Sequence, residues 1–149
     1  MTLKPLLLVI LAMFVFLGCA SKMSKVPGNL GVKDGKLAPC PTSPNCVSSQ
    51  AEDEKHRVAP LSLAGTPAET MDRIVSVLVE TPRVSIITRT DNYLHAEFRS
   101  AFFRFVDDVE VFIDEADSTI HFRSASRTGY SDFGVNRKRV EALKKESQR

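Results

Sequence analysis

The residues best equipped for chemistry lie in one late stretch, Arg123-Ser124-Ala125-Ser126-Arg127-Thr128-Gly129-Tyr130-Ser131-Asp132-Phe133-Gly134-Val135-Asn136-Arg137-Lys138-Arg139. Four arginines, a lysine, four serine or threonine hydroxyls, one carboxylate and two glycines share it, a density that folding alone does not demand. Guanidinium forks suit planar anions, and free amides at a helix N-terminus suit them too. Arg123, Ser124, Ser126, Arg127, Tyr130, Asp132, Asn136, Arg137 and Arg139, with Asp107 from an earlier strand, are therefore candidate ligands for a phosphate, a carboxylate or a lipid headgroup. The same arginines can instead pair with Asp107, Asp108, Glu110 and Asp132 and lock the last helix to a sheet. Four guanidiniums against four acids balance internally, so the structural network is the preferred reading. In either case the cluster is expected to form one centre, gathered around Asp107.

Other chemistries lack their parts. Asp107 and Asp108 are neighbours on a strand and point to opposite faces, so they cannot share a proton as a catalytic carboxylate dyad does. Asp107, on the apolar face, is the acid expected to be most disturbed by burial and to need a partner such as Arg127, Tyr130 or a serine. Ser124 and Ser126 have no histidine at a motif spacing, and the chain contains no Gly-x-Ser-x-Gly elbow, phosphate-cradling glycine loop or dinucleotide fingerprint. No metal-ligand spacing occurs, and no cofactor is expected. His56 is read as a surface histidine and His95 as solvent-facing.

The elements that must position these residues follow from periodicity. Thr66-Pro67-Ala68-Glu69 has the form of an N-cap, a first-turn proline and a reciprocal acid, opening a helix to about Glu80 with Met71, Ile74, Val75, Leu78 and Val79 along one stripe. From Val84 the period becomes two. Two hairpins are expected, one around Thr90-Asp91-Asn92 and one around Asp114-Glu115-Ala116-Asp117. In the second, Ile113 faces Ile120, Val111 faces Phe122, Glu110 faces Arg123 and Asp107 faces Ser126. Val58 to Leu63 carries Pro60 and reads as an edge strand. Val135 to about Ser147 forms the last helix, with Val135, Arg139, Val140 and Leu143 inward and Asp132 or Ser131 at its start. The fold class is α+β: a two-layer sandwich of an antiparallel sheet of four to five strands with two helices on one face.

The N-terminus addresses the chain to the cell envelope. Lys4, the apolar run Leu6 to Leu17 and the small site at Gly18-Cys19 make residues 1–18 a signal peptide. Phe16-Leu17-Gly18-Cys19 resembles the bacterial lipobox, which makes Cys19 the lipidation site, and Ala20 in place of aspartate directs the anchor to the outer membrane, facing the periplasm. Residues 19–37 are read as a lipidated, flexible tether and 38–149 as a single domain. With Cys19 used, Cys40 and Cys46 remain to form a disulfide in an oxidising compartment. Without Lys4 the 20 basic side chains become 19 against 18 acidic, and so balanced a chain is a poor partner for nucleic acid.

Three ordered segments, Leu37 to Ser49, Phe105 to Glu110 and Arg123 to Glu141, resemble the signatures of the bacterial and plastid family called domain of unknown function fourteen-ninety-nine. The family has no assigned activity, so the resemblance implies motif positions and no substrate, cofactor or catalytic residue. The expected function is that of a periplasm-facing lipoprotein, a non-catalytic binding or scaffold domain for an anionic envelope ligand or a protein partner. The alternative is a hydrolase or transferase acting on a phosphorylated or acylated envelope substrate through Asp107 or Asp132 with Arg123 and Arg127.

Overall fold

A computed structural model describes residues 25–148; the expected signal peptide and the lipidated Cys19 lie outside the described residues. Helix α1, Pro67–Glu80, starts where its sequence says it should. The Thr66 hydroxyl accepts from the Glu69 amide at 3.3 Å, and the Glu69 carboxylate accepts from the Thr66 amide at 3.1 Å. Two amides that the helix cannot satisfy are thereby bonded. These bonds hold the Glu69 carboxyl below its ordinary value. Met71, Ile74 and Leu78 are buried, Val75 packs at the margin, and Val79 turns outward instead of joining the stripe.

The strands are β1 Cys46–Ser48, β2 Leu61–Ser62, β3 Val84–Arg89, β4 Tyr93–Arg99, β5 Val106–Asp114 and β6 Thr119–Ser126. They form one antiparallel sheet ordered β1-β6-β5-β4-β3, with β2 also pairing β6. Among the described residues it has six strands where four to five were expected, because the short β1 and β2 each add a few residues to the β6 edge. The β5–β6 register is the expected one: Ile113 faces Ile120, Val111 faces Phe122, Glu110 faces Arg123 and Asp107 faces Ser126. Hydrophobic alternation fixes it, since a one-residue slip would turn every apolar side chain outward.

One sheet face, with Leu94, Ala96, Val109, Val111, Ile113, Ile120 and Phe122, makes the core with α1 and with Val140 and Leu143 of helix α2, Val135–Ser147. Val135, expected inward, is half exposed. The start of α2 bends through Gly134 at φ 79°, conformational space that glycine enters freely. The Asp132 carboxylate accepts from the Asn136 amide at 2.7 Å and the Gly134 amide at 3.0 Å.

The opposite face was expected to be wet, and it is not. His95, Glu97, Asp108, Glu110 and Arg123 are all buried there. Part of the cover comes from the segment read as a tether. The Gly31 amide donates to Glu110 Oε1 at 2.8 Å, the Leu37 amide donates to Gln50 Oε1 at 2.8 Å, and Leu37 itself is buried. Low hydropathy alone predicted freedom for residues 25–37. A buried leucine and two long-range backbone bonds hold their described part against the domain instead.

Candidate functional site

Strand alternation splits the late cluster in two. Arg123 and Arg127 lie on the polar face of the sheet, while Ser124 and Ser126 point to the helix side. The expectation of a single centre around Asp107 therefore fails, and each face carries its own polar cluster.

On the helix side Asn136 is the hub and is wholly buried. Its carboxamide accepts from Ser124 Oγ at 2.5 Å and Arg139 Nη1 at 2.6 Å, and donates to the Asn45 carbonyl and to Ser126 Oγ, both at 3.0 Å. Arg139 Nη2 donates to Asp107 at 2.7 Å, and its guanidinium sits 4.7 Å over the Phe98 ring. Asp107 has thus found a cationic partner: it is Arg139 from α2, one of the arginines expected to lock the last helix to the sheet, and not Arg127, Tyr130 or a serine. The arrangement clamps α2 and the Asn45 loop onto β5 and β6.

On the other face three carboxylates interleave with three guanidiniums and an imidazole. Arg127 reaches Asp108 Oδ2 through Nε at 2.8 Å, Asp108 Oδ1 through Nη2 at 2.6 Å and Glu97 Oε1 at 2.5 Å. His95 Nε2 lies 2.7 Å from Asp108 Oδ1, and Arg99 pairs with Glu97 at 2.5 Å. Arg123 Nη1 meets Glu110 Oε2 at 2.9 Å, while Glu110 Oε1 accepts from the Tyr93 hydroxyl at 2.9 Å. Burial alone would push the Asp108 carboxyl up. Hydrogen bonds from Arg127 and His95, with their charges, hold it below the ordinary carboxylate value. The Asp108 bonds raise the Arg127 guanidinium in turn, against its own burial. Burial, reinforced by the Glu110 charge and hydrogen bond, pushes the Tyr93 phenol well up.

The remaining candidates stand apart. Arg137 donates to the backbone carbonyls of Arg57, at 2.5 Å, and Lys55, at 2.9 Å. Tyr130 projects into solvent. Asp132 is used as the α2 cap. Cys40 and Cys46 are joined, with Cα atoms 5.6 Å apart. His56, read as a surface residue, is buried beside that loop, with Nδ1 at 2.8 Å from Asp53 and Nε2 at 3.1 Å from the Ser43 carbonyl. It braces the small ring of chain that the disulfide closes. A groove of about 910 Å³ lies between stretches from Gly28 to Cys40 and from Ser48 to Asp53, and none of the late arginines lines it.

His95, Glu97 and Tyr93 were missed from sequence. Glu97 faces Asp108 across β4 and β5, and like charges so placed make sense only with the cations Arg127 and Arg99 beside them; that opposition was the readable signal, whereas Tyr93 faces Phe112 and carried none. No group of three or more His, Cys, Asp or Glu side chains among the described residues is arranged to hold a metal ion.

The family described as protein of unknown function (DUF1499) matches residues 36–146, and the chain belongs to it. No curated protein matches the chain.

Proposed function

We propose that this chain, a member of a family whose description assigns no activity, is a non-catalytic binding or scaffold domain, for a protein partner in preference to an anionic envelope ligand, held by a lipid on Cys19 at the periplasmic face of the outer membrane. The observation that carries the reading is the internal matching of the late arginines. Arg123 meets Glu110, Arg127 meets Asp108 and Glu97, Arg139 meets Asp107, and Arg137 is taken by two carbonyls. Guanidiniums so engaged reinforce a rigid platform and leave recognition to its loops. A hydrolase or transferase built on Asp107 or Asp132 with Arg123 and Arg127 has less support, because those arginines and Asp107 lie on opposite sides of the sheet.

Native mass spectrometry of the protein extracted from its own membrane tests this. The expected mass is that of a chain beginning at Cys19 with acyl chains attached and no small anion, and Arg127→Ala is expected to be unfolded. A phosphate- or carboxylate-bearing molecule that copurifies with the wild type and is absent from a folded Arg127→Ala protein would overturn the scaffold reading. A chain without acyl groups would remove the anchor.

A further inference from the structure

Several chain connections meet at one end of the sheet. Ser100 to Phe105 joins β4 to β5, Thr128 to Gly134 joins β6 to α2, and the disulfide loop precedes β1. Backbone bonds tie them: Arg127 to the Val106 carbonyl at 3.0 Å, Ser126 to the Asn45 carbonyl at 2.9 Å, and Arg99 to the Arg83 carbonyl at 3.0 Å. At this end Phe102 is 92% exposed, Phe133 90%, Phe103 77% and Tyr130 74%, with Phe105 and Val135 partly exposed beside them. Phe103 and Phe105 stack on each other at 5.5 Å. Single exposed apolar residues are ordinary, but a group of aromatic rings gathered at loop tips marks an interaction surface.

The backbone is also held in unusual shapes here. Arg83, Arg104 and Phe133 have φ of 62°, 54° and 54°, a region costly for residues with large side chains. The neighbouring charge is largely basic. Arg104 is the one charged residue from Ser100 to Phe105; exposed Arg83 is brought to this end by its backbone bond with Arg99, and exposed Lys138 stands in the first turn of α2, after Phe133. Asp132, the acid between Thr128 and Val135, is occupied with the α2 amides.

We propose that this end docks on the surface of a lipid bilayer, with Phe102, Phe103, Phe105 and Phe133 entering the interface, Tyr130 at headgroup level, and Arg83, Arg104 and Lys138 against anionic headgroups. The rings sit on projecting loop tips, a shape suited to insertion between lipids. Long basic side chains beside them can keep their charge in the headgroup layer. The chain length fits as well: Cys19 is six residues from Lys25, where the described residues begin, a reach of about 20 Å at full extension. The inference rests on the proposed function only in placing the domain beside a membrane.

The chain contains no tryptophan, so an introduced one reports its own surroundings. Phe103→Trp is made at the aromatic end and Ala116→Trp at the β5–β6 turn, which lies at the opposite end of the sheet. The full chain is mixed with vesicles of phosphatidylcholine, with or without phosphatidylglycerol, carrying bromine on their acyl chains. Phe103→Trp fluorescence should be quenched and blue-shifted with phosphatidylglycerol present, and Ala116→Trp should be unaffected. Adding Phe102→Ser or Arg104→Glu to the Phe103→Trp protein should weaken the response roughly tenfold. Equal quenching of both tryptophans, no quenching of either, or quenching indifferent to phosphatidylglycerol overturns the proposal. A blue shift that grows with protein concentration in the absence of vesicles overturns it in favour of a second copy of the chain. The mass of the same sample reports acylation at Cys19 independently, so loss of the anchor and loss of loop docking are read separately.

Discussion

At Asp108, burial and ion pairing act in opposite directions on one carboxyl, and pairing prevails. A carboxyl with a depressed folded value contributes stability that is present above its unfolded value of about 3.9 and is lost as pH falls through the folded value. His121 is also depressed, by burial against the pull of Asp114 and Asp117. Its contribution is present above about pH 6.5 and is lost as pH falls through its lower folded value. Unfolding free energy measured against pH should therefore decline in two windows, a shallow one below pH about 6.5 and a steeper one in the acid carboxylate range. His121→Gln should remove the first and Asp108→Asn should flatten the second; unchanged slopes would transfer the effect to other groups. Removing one partner of a buried pair costs about 3–5 kcal/mol because the other charge stays behind. Arg127→Ala leaves Asp108 with His95 alone and Glu97 with Arg99 alone and should reach the upper end of that range, enough to unfold a marginally stable domain, so denaturant titration should show no cooperative transition.

The elements are tied down mostly at their ends. The Thr66–Glu69 exchange can be removed by Thr66→Ala, expected to cost about 1 kcal/mol of global stability by chemical denaturation. Asp132→Ala should cost at least as much, because its carboxylate serves two amides and Gly134, which occupies the cap position, has no side chain with which to replace it. A smaller loss for Asp132→Ala than for Thr66→Ala would show that the Asn136 hub alone holds α2. Reducing the Cys40–Cys46 bond should cost about 2–3 kcal/mol. Loosening should centre on the loop that Asn45 and His56 pin, and amide exchange at Cys46 to Ser48 reads it.

For the molecule as a whole, what was local in the sequence was legible and what was distant was not. The capping box, both hairpins, the β5–β6 register and the Cys40–Cys46 pair each depend on neighbouring residues or on period-two patterning. The division of the arginine cluster was also within reach. The alternation that separates Asp107 from Asp108 equally separates Arg123 from Ser124. The burial of His95 was out of reach, because it depends on β4 pairing with β5 and on residues near Gly31 returning to cover that face. His56 was missed for the same reason, its partners at Asp53 and Ser43 being brought together only by the folded loop. The neighbouring acids of the central strand have one more effect, on assembly of the sheet. Asp107 answers to Arg139 on one side while Asp108 answers to Arg127 and His95 on the other, so sliding β5 by a single residue would strand charge on both sides at once. Misaligned strands are thus rejected by two independent checks, a form of proofreading carried by two adjacent letters.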